Sequence, residues 1–188
     1  MSPRPRYVLV IQLPRSTELR IEDAFLGHIG VTRPAMGYHV TLLGPFCLIK
    51  GSAEVLSALI DQICHTMPSF DLQLAGVKAF SSADNHIAYL QVGSIEPLLY
   101  LRDRLLADLL SQDILVDPCP QIDTDVYLPH VTLSLELTYD ELALLTESSS
   151  VRDFSATFTV NALALVAEQI GAPWRVEKVF PLGNGMSE

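Results

Sequence analysis

The 188-residue sequence predicts an α+β fold of two similar β-α-β-α-β units. The expected architecture is bilobal and pseudo-two-fold, with antiparallel-rich sheets flanking a central cleft and helices on the outer faces. Three observations predict it. Short β-branched runs alternate with amphipathic stretches in the same order twice. The tetrapeptide His-Val-Thr-Leu stands at 39–42 and again at 130–133, on the middle strand of each unit. The chain is 49% apolar and 18% charged, which supports a sizeable core and argues against wholesale disorder.

The elements follow in order. "YVLVIQL" (7–13) reads as a buried first strand. "STELRIEDAFLGHIG" opens with Ser16 and Thr17 as cap residues and stops at Gly30, so it reads as a helix. "VTRPAMG" (31–37) is a loop and "YHVTLL" (38–43) a strand, with Gly44-Pro45 read as a turn. "SAEVLSALIDQICHTM" (52–67) carries apolar stripes at helical spacing behind Ser52, an expected N-cap. "FDLQLAGVKAF" (70–80) alternates as a half-buried strand does.

The second unit starts with the strand "HIAYLQV" (86–92). A helix over 94–110 follows, capped by Ser94, with Pro97 tolerated in its first turn. The stretch 111–129 is a long loop with three prolines and four aspartates, expected to border the cleft and tune the substrate. "HVTLSL" (130–135) is a strand, and Thr138 with Glu141 forms a capping box for a helix over 138–148. Residues 154–167 form one long strand or a strand pair, and 174–182 a final strand. The whole chain reads as a single bilobal domain with repeats at 7–80 and 86–167, since no linker shows around 81–86.

The net charge of −10 disfavours a large non-specific nucleic-acid footprint, because such a surface repels a polyanion. Cys47, Cys64 and Cys119 are odd in number and widely spaced, as reduced thiols in a cytoplasmic protein would be. The N-terminal apolar run is too short for a signal peptide or a membrane span. No membrane partner is expected, and a monomer is. No Cys/His cluster has zinc spacing and no glycine-rich phosphate loop occurs, so neither a metal nor another cofactor is expected.

The repeated tetrapeptide carries the chemistry. Residues two apart on a strand share a face, so His39 and Thr41 point one way while Val40 and Leu42 point into the core. The same holds for His130 and Thr132. If the units face each other, two imidazoles and two hydroxyls line one site. Breaking a phosphodiester needs a base for the attacking oxygen and an acid for the leaving one. Histidine, with an unperturbed pKa of about 6.5, serves in either role. Threonine hydroxyls can donate to the non-bridging oxygens, where charge gathers.

His39-Val-Thr41-Leu and His130-Val-Thr132-Leu, the latter preceded by Pro129, resemble the paired motif of the 2H phosphoesterase superfamily. That superfamily includes bacterial 2′-5′ RNA ligase-like proteins and cyclic phosphodiesterases. The resemblance covers nearly the whole chain. It implies a bilobal fold with an open cleft and metal-independent cleavage of a 2′,3′-cyclic phosphate or a 2′-5′ phosphodiester. It makes His39 and His130 the acid and base, in an order it leaves open, and Thr41 and Thr132 the phosphate-binding pair. The alternatives are RNA 2′-5′ ligase activity on RNA ends and a non-catalytic nucleotide or cyclic-dinucleotide binding module. Where relatives often carry a basic residue soon after the second motif, this chain has Ser134-Leu135-Glu136. With the acidic charge, that favours a nucleotide or short RNA over a long RNA.

Three further side chains are candidates for substrate contact. Arg33, in the loop before the first motif, is placed to hold a phosphate, or else is a solvated loop arginine. Phe46 and Tyr127 are placed to stack on a base near the cleft mouth.

Overall fold

The computed structural model describes residues 4–28, 30–82, 85–116, 127–168 and 172–183. Cys119 and residues 117–126 of the long loop lie outside the described residues. The strands are β1 (Arg6–Gln12), β2 (His39–Cys47), β3 (Phe70–Ser81), β4 (His86–Gly93), β5 (His130–Leu137), β6 (Ser155–Val160), β7 (Ala162–Glu168) and β8 (Arg175–Pro181). The helices are α1 (Arg15–Phe25), α2 (Ala53–Thr66), α3 (Glu96–Ser111), α4 (Tyr139–Glu147) and the single turn α5 (Ser149–Arg152).

All eight strands belong to one sheet in the order β6-β3-β4-β5-β2-β1-β7-β8, and every ladder is antiparallel. The two expected sheets are thus halves of one curled sheet, joined where β2 meets β5. β1 and β2 occupy one half and their repeats β4 and β5 the other. The strand that ends each unit crosses over: β3 pairs with β4, while β7 pairs with β1. Asn161 alone separates β6 from β7, which lie in different halves, so the expected strand pair is not a hairpin. Only a strongly curled sheet brings those two strand ends within reach of one residue.

One buried cluster runs through both halves. It joins Leu9, Ile11, Val40, Leu42, Leu72, Leu90, Val131 and Leu163 of the sheet to Ile21, Phe25, Leu56, Ile60, Leu98, Leu101 and Leu145 of the helices. The helices therefore pack on the sheet face that carries Val40 and Val131. Residues of opposite parity point away from them, which is where the paired motif must lie.

Several local expectations shift. α1 begins at Arg15 behind Pro14 with no side-chain cap, so Ser16 and Thr17 lie inside its first turn, and it ends at Phe25, not at Gly30. Ser94 adopts a positive φ, and the N-cap of α3 is Ile95, with Pro97 in the first turn as expected. Ser52 is the N-cap of α2 without a side-chain bond. β2 does not turn at Gly44-Pro45 but continues to Cys47. Gly44 has φ +115°, and a Cβ there would stand 2.8 Å from the Tyr7 carbonyl, so only glycine lets β1 lie this close. The capping box forms as read: the Thr138 hydroxyl accepts from Glu141 N, and the Glu141 carboxylate accepts from Thr138 N at 2.8 Å.

Candidate active site

Among the described residues the two motif strands meet at one ladder pair, Val40 opposite Val131, and both valines are fully buried. Continuing the antiparallel direction one residue each way puts His39 across from Thr132 and Thr41 across from His130. Four side chains form a square on the face opposite the core, with like residues on its diagonals. β1 and β4 border it: Gln12 and Val10 pair with His39 and Thr41, and Gln91 and Tyr89 with His130 and Thr132.

Both imidazoles are held the same way. His39 Nδ1 lies 2.9 Å from the Gly37 carbonyl oxygen, and His130 Nδ1 lies 2.8 Å from that of Leu128. A carbonyl only accepts, so each Nδ1 carries the proton and donates. Each Nε2 is left as the atom that takes or gives a proton. In both copies the acceptor is the residue two positions upstream, so the device is duplicated with the strand.

The two histidines differ in their surroundings. His39 has its pKa lowered from 6.5, first by burial; the Gly37 bond opposes this, and the nearby His130 adds to it. His130 is flanked by aromatic rings. Phe80 lies edge-on to it with centroids 5.1 Å apart, and Tyr89 is tilted at 5.2 Å. Phe80 and Tyr89 stack on each other at 4.4 Å. Phe80 is 39% exposed, so part of an aromatic face beside the second motif is open. The alternation of "HIAYLQV" already set Tyr89 and Gln91 on one face, a signal the two-motif reading did not use.

The turn before His39 is braced by ion pairs. Glu18 of α1 is buried at 8% exposure. Its Oε1 accepts from Tyr38 N at 3.1 Å, and its Oε2 accepts from Arg15 at 3.0 Å and Arg33 at 3.1 Å. Arg33 also pairs with Glu22 at 3.3 Å. The loop arginine expected to clamp a phosphate is therefore engaged with two carboxylates. Gly37, at φ +74°, presses against Glu18: a Cβ there would stand 2.8 Å from Oε1.

The two aromatic candidates are also placed elsewhere. Phe46 is 2% exposed, packed in the core and stacked on Tyr7, so it offers no ring face to a ligand. Tyr127 is half-buried against the core; its hydroxyl donates to the Thr41 carbonyl at 2.7 Å, and its ring lies under the buried Arg102 guanidinium at 4.4 Å. It ties the entry to β5 across to β2, just where the ladder between them is sparse. Ser134, in the stretch where a basic residue was sought, is buried and donates to Gly30 O at 2.7 Å. Cys64 is buried, which pushes its thiol up to about 12. Among the described residues no three of His, Cys, Asp and Glu gather as a metal site requires, and no helix is long and apolar enough to cross a membrane.

With this geometry in view, the sequence matches the family model described as the 2′-5′ RNA ligase superfamily over residues 14–171. The chain belongs to the 2′-5′ RNA ligase superfamily. This is the 2H phosphoesterase group that the paired motif resembled, and the matched span contains both motifs. A Bacillus pumilus protein named "Putative phosphoesterase" is 28% identical over 147 residues, covering 78% of this chain and 80% of that protein. Among solved structures of superfamily folds, E. coli LigT complexed with 3′-AMP superposes with a TM-score of 0.69 at 17% identity, covering 96% of this chain and 99% of LigT. The TT0787 protein of Thermus thermophilus gives 0.68 at 18% identity, covering 97% of this chain and 100% of that one. At such identities the likeness to these two structures shows the fold alone.

Proposed function

We propose that this superfamily member is a phosphodiesterase that hydrolyses a 2′,3′-cyclic phosphate or a 2′-5′ linkage in a nucleotide or short RNA, by two-histidine general acid–base catalysis without a metal. The observation that carries this reading is the Val40–Val131 pair, which sets two imidazoles and two threonines around one point. The LigT structure with 3′-AMP supports a nucleotide as the ligand.

The steps follow from the donors available. A water oxygen, or for a 2′-5′ linkage first the neighbouring sugar hydroxyl, attacks phosphorus while the Nε2 of one histidine takes its proton. The P–O bond on the opposite side breaks, and the departing oxygen takes a proton from the Nε2 of the other histidine. Thr41 and Thr132 donate to the non-bridging oxygens, where charge rises in the transition state. We assign His39 as the base, because burial disfavours its cation and so favours the neutral imidazole that can take a proton. His130 is then the acid. Solvent exchange restores both protonation states.

The test is a panel of 2′,3′-cyclic mononucleotides, 2′-5′ adenylate oligomers, cyclic dinucleotides and RNA with a cyclic phosphate end, incubated with excess EDTA. Turnover of a cyclic phosphate or a 2′-5′ linkage in EDTA supports the reading. Intact substrates throughout, or activity that EDTA abolishes and a divalent ion restores, overturn it.

A further inference from the structure

Two glutamines extend the pseudo-two-fold beyond the square. Gln12 of β1 is the ladder partner of His39, and Gln91 of β4 is the ladder partner of His130. Residues directly opposite in an antiparallel ladder share a face, so each amide stands beside its imidazole. Both glutamines are exposed, although the three residues before each, Leu9 to Ile11 and Ala88 to Leu90, are buried. Among the described residues neither amide holds a hydrogen bond.

Their placement fixes what they can meet. Adjacent strands lie roughly 4.8 Å apart, so each amide sits one strand outboard of a histidine. In-line displacement places the attacking and leaving oxygens on opposite sides of phosphorus, one at each histidine. When the sugar hydroxyl beside a 2′-5′ linkage attacks, the P–O bond to the second nucleoside breaks, a 2′,3′-cyclic phosphate forms, and each of the two oxygens carries a nucleoside that runs outward past an imidazole toward the glutamine on the next strand. An amide offers two N–H donors and one carbonyl acceptor without charge. It complements sugar hydroxyls and base edges, and is poorly suited to a further phosphate.

The surface beyond each amide fits a nucleoside as well. On the His130 side lie Phe80 and Tyr89. On the His39 side the partly exposed Met36 and Trp174 pack over a small buried apolar cluster of Val8, Val10, Ala164 and Val166.

Building on the proposed function, we infer that Gln12 and Gln91 are substrate-contacting residues, each holding the nucleoside on one side of the reacting phosphate. The preferred substrate class is then a phosphodiester joining two nucleosides. A 2′,3′-cyclic mononucleotide fills only one of the two flanks.

The test compares kcat/KM for 2′-5′ adenylyl-adenosine and 2′,3′-cyclic AMP in wild type, Gln12→Leu and Gln91→Leu. Gln12→Glu and Gln91→Glu repeat it wherever leucine lowers the melting temperature. Each variant is expected to lose about tenfold on the dinucleotide, mainly in KM, as for one lost hydrogen bond. On the cyclic mononucleotide only one of the two variants is expected to lose activity. A variant with wild-type kinetics on the dinucleotide, or equal losses on both substrates from both variants, overturns the inference. So does a wild type that cleaves the cyclic mononucleotide and leaves the dinucleotide intact, and that result leaves the proposed function standing. A wild type inactive on every member of the panel overturns both.

Discussion

Val40 lies directly across from Val131 where β2 and β5 pair, and both side chains are fully buried. This pair is the pivot of the molecule. Each valine anchors a strand in the core, and its two neighbours in sequence point the other way, so the strand pairing itself brings four polar side chains to one face. Replacing either valine by alanine leaves a cavity at the pivot. We predict a loss of about 2 kcal/mol in folding stability for Val131→Ala by denaturant titration, together with a lowered kcat. Unchanged stability would show that the pair is not under packing load.

The brace behind the first motif gives a second prediction. Gly37 sits at φ +74° against Glu18 Oε1, and its carbonyl orients His39. Gly37→Ala must strain the backbone and displace the Glu18 carboxylate. The expected result is a lower melting temperature with kcat reduced more than KM is raised. Kinetics equal to wild type would separate the turn from the orientation of His39.

Arg33 gives a third. Its guanidinium is engaged with Glu18 and Glu22 and is about half exposed. Arg33→Ala is predicted to cost under about 1 kcal/mol in stability, as exposed ion pairs do, and to leave KM within about twofold. A large rise in KM that shrinks as salt is added would instead mark Arg33 as a phosphate ligand.

The fourth concerns pH. Folded His39 binds a proton less readily than an ordinary histidine at 6.5, because burial disfavours its cation. With His39 as base, the acid limb of kcat/KM against pH should have its midpoint below 6.5. The linkage has a definite sign. The unfolded chain takes up the proton first as pH falls, so the stabilising effect of neutral His39 is complete above about 6.5 and lost as pH drops through its folded pKa. His39→Gln should flatten that part of the stability profile. An acid limb at or above 6.5 would assign the base elsewhere.

Much of this was legible in the sequence. The duplicated tetrapeptide, its strand setting and period-2 alternation were enough to place His39, Thr41, His130 and Thr132 on one face, and the Thr138–Glu141 box was readable from residue type alone. What escaped depends on long-range pairing. Glu18 neutralises Arg33 only because α1 folds back on the loop before β2. Phe46 reads as a motif-flanking aromatic until β2 is seen to run on past Pro45 and turn its ring onto Tyr7. The crossing of β3 and β7 between the halves leaves no local trace either, because strand order in a sheet is not written in hydrophobic period.

The central claim is that His39 and His130 act as a pair on one phosphate. The most direct measurement is single-turnover cleavage of the preferred substrate, in EDTA, by wild type, His39→Ala, His130→Ala and the double variant, with circular dichroism confirming the fold. Each single variant is expected to lose at least about a hundredfold in rate, as removal of a general acid or base does. The double variant is expected to be little worse than either, since one partner alone cannot complete the proton transfer. A double variant that still cleaves at the wild-type rate would contradict the claim.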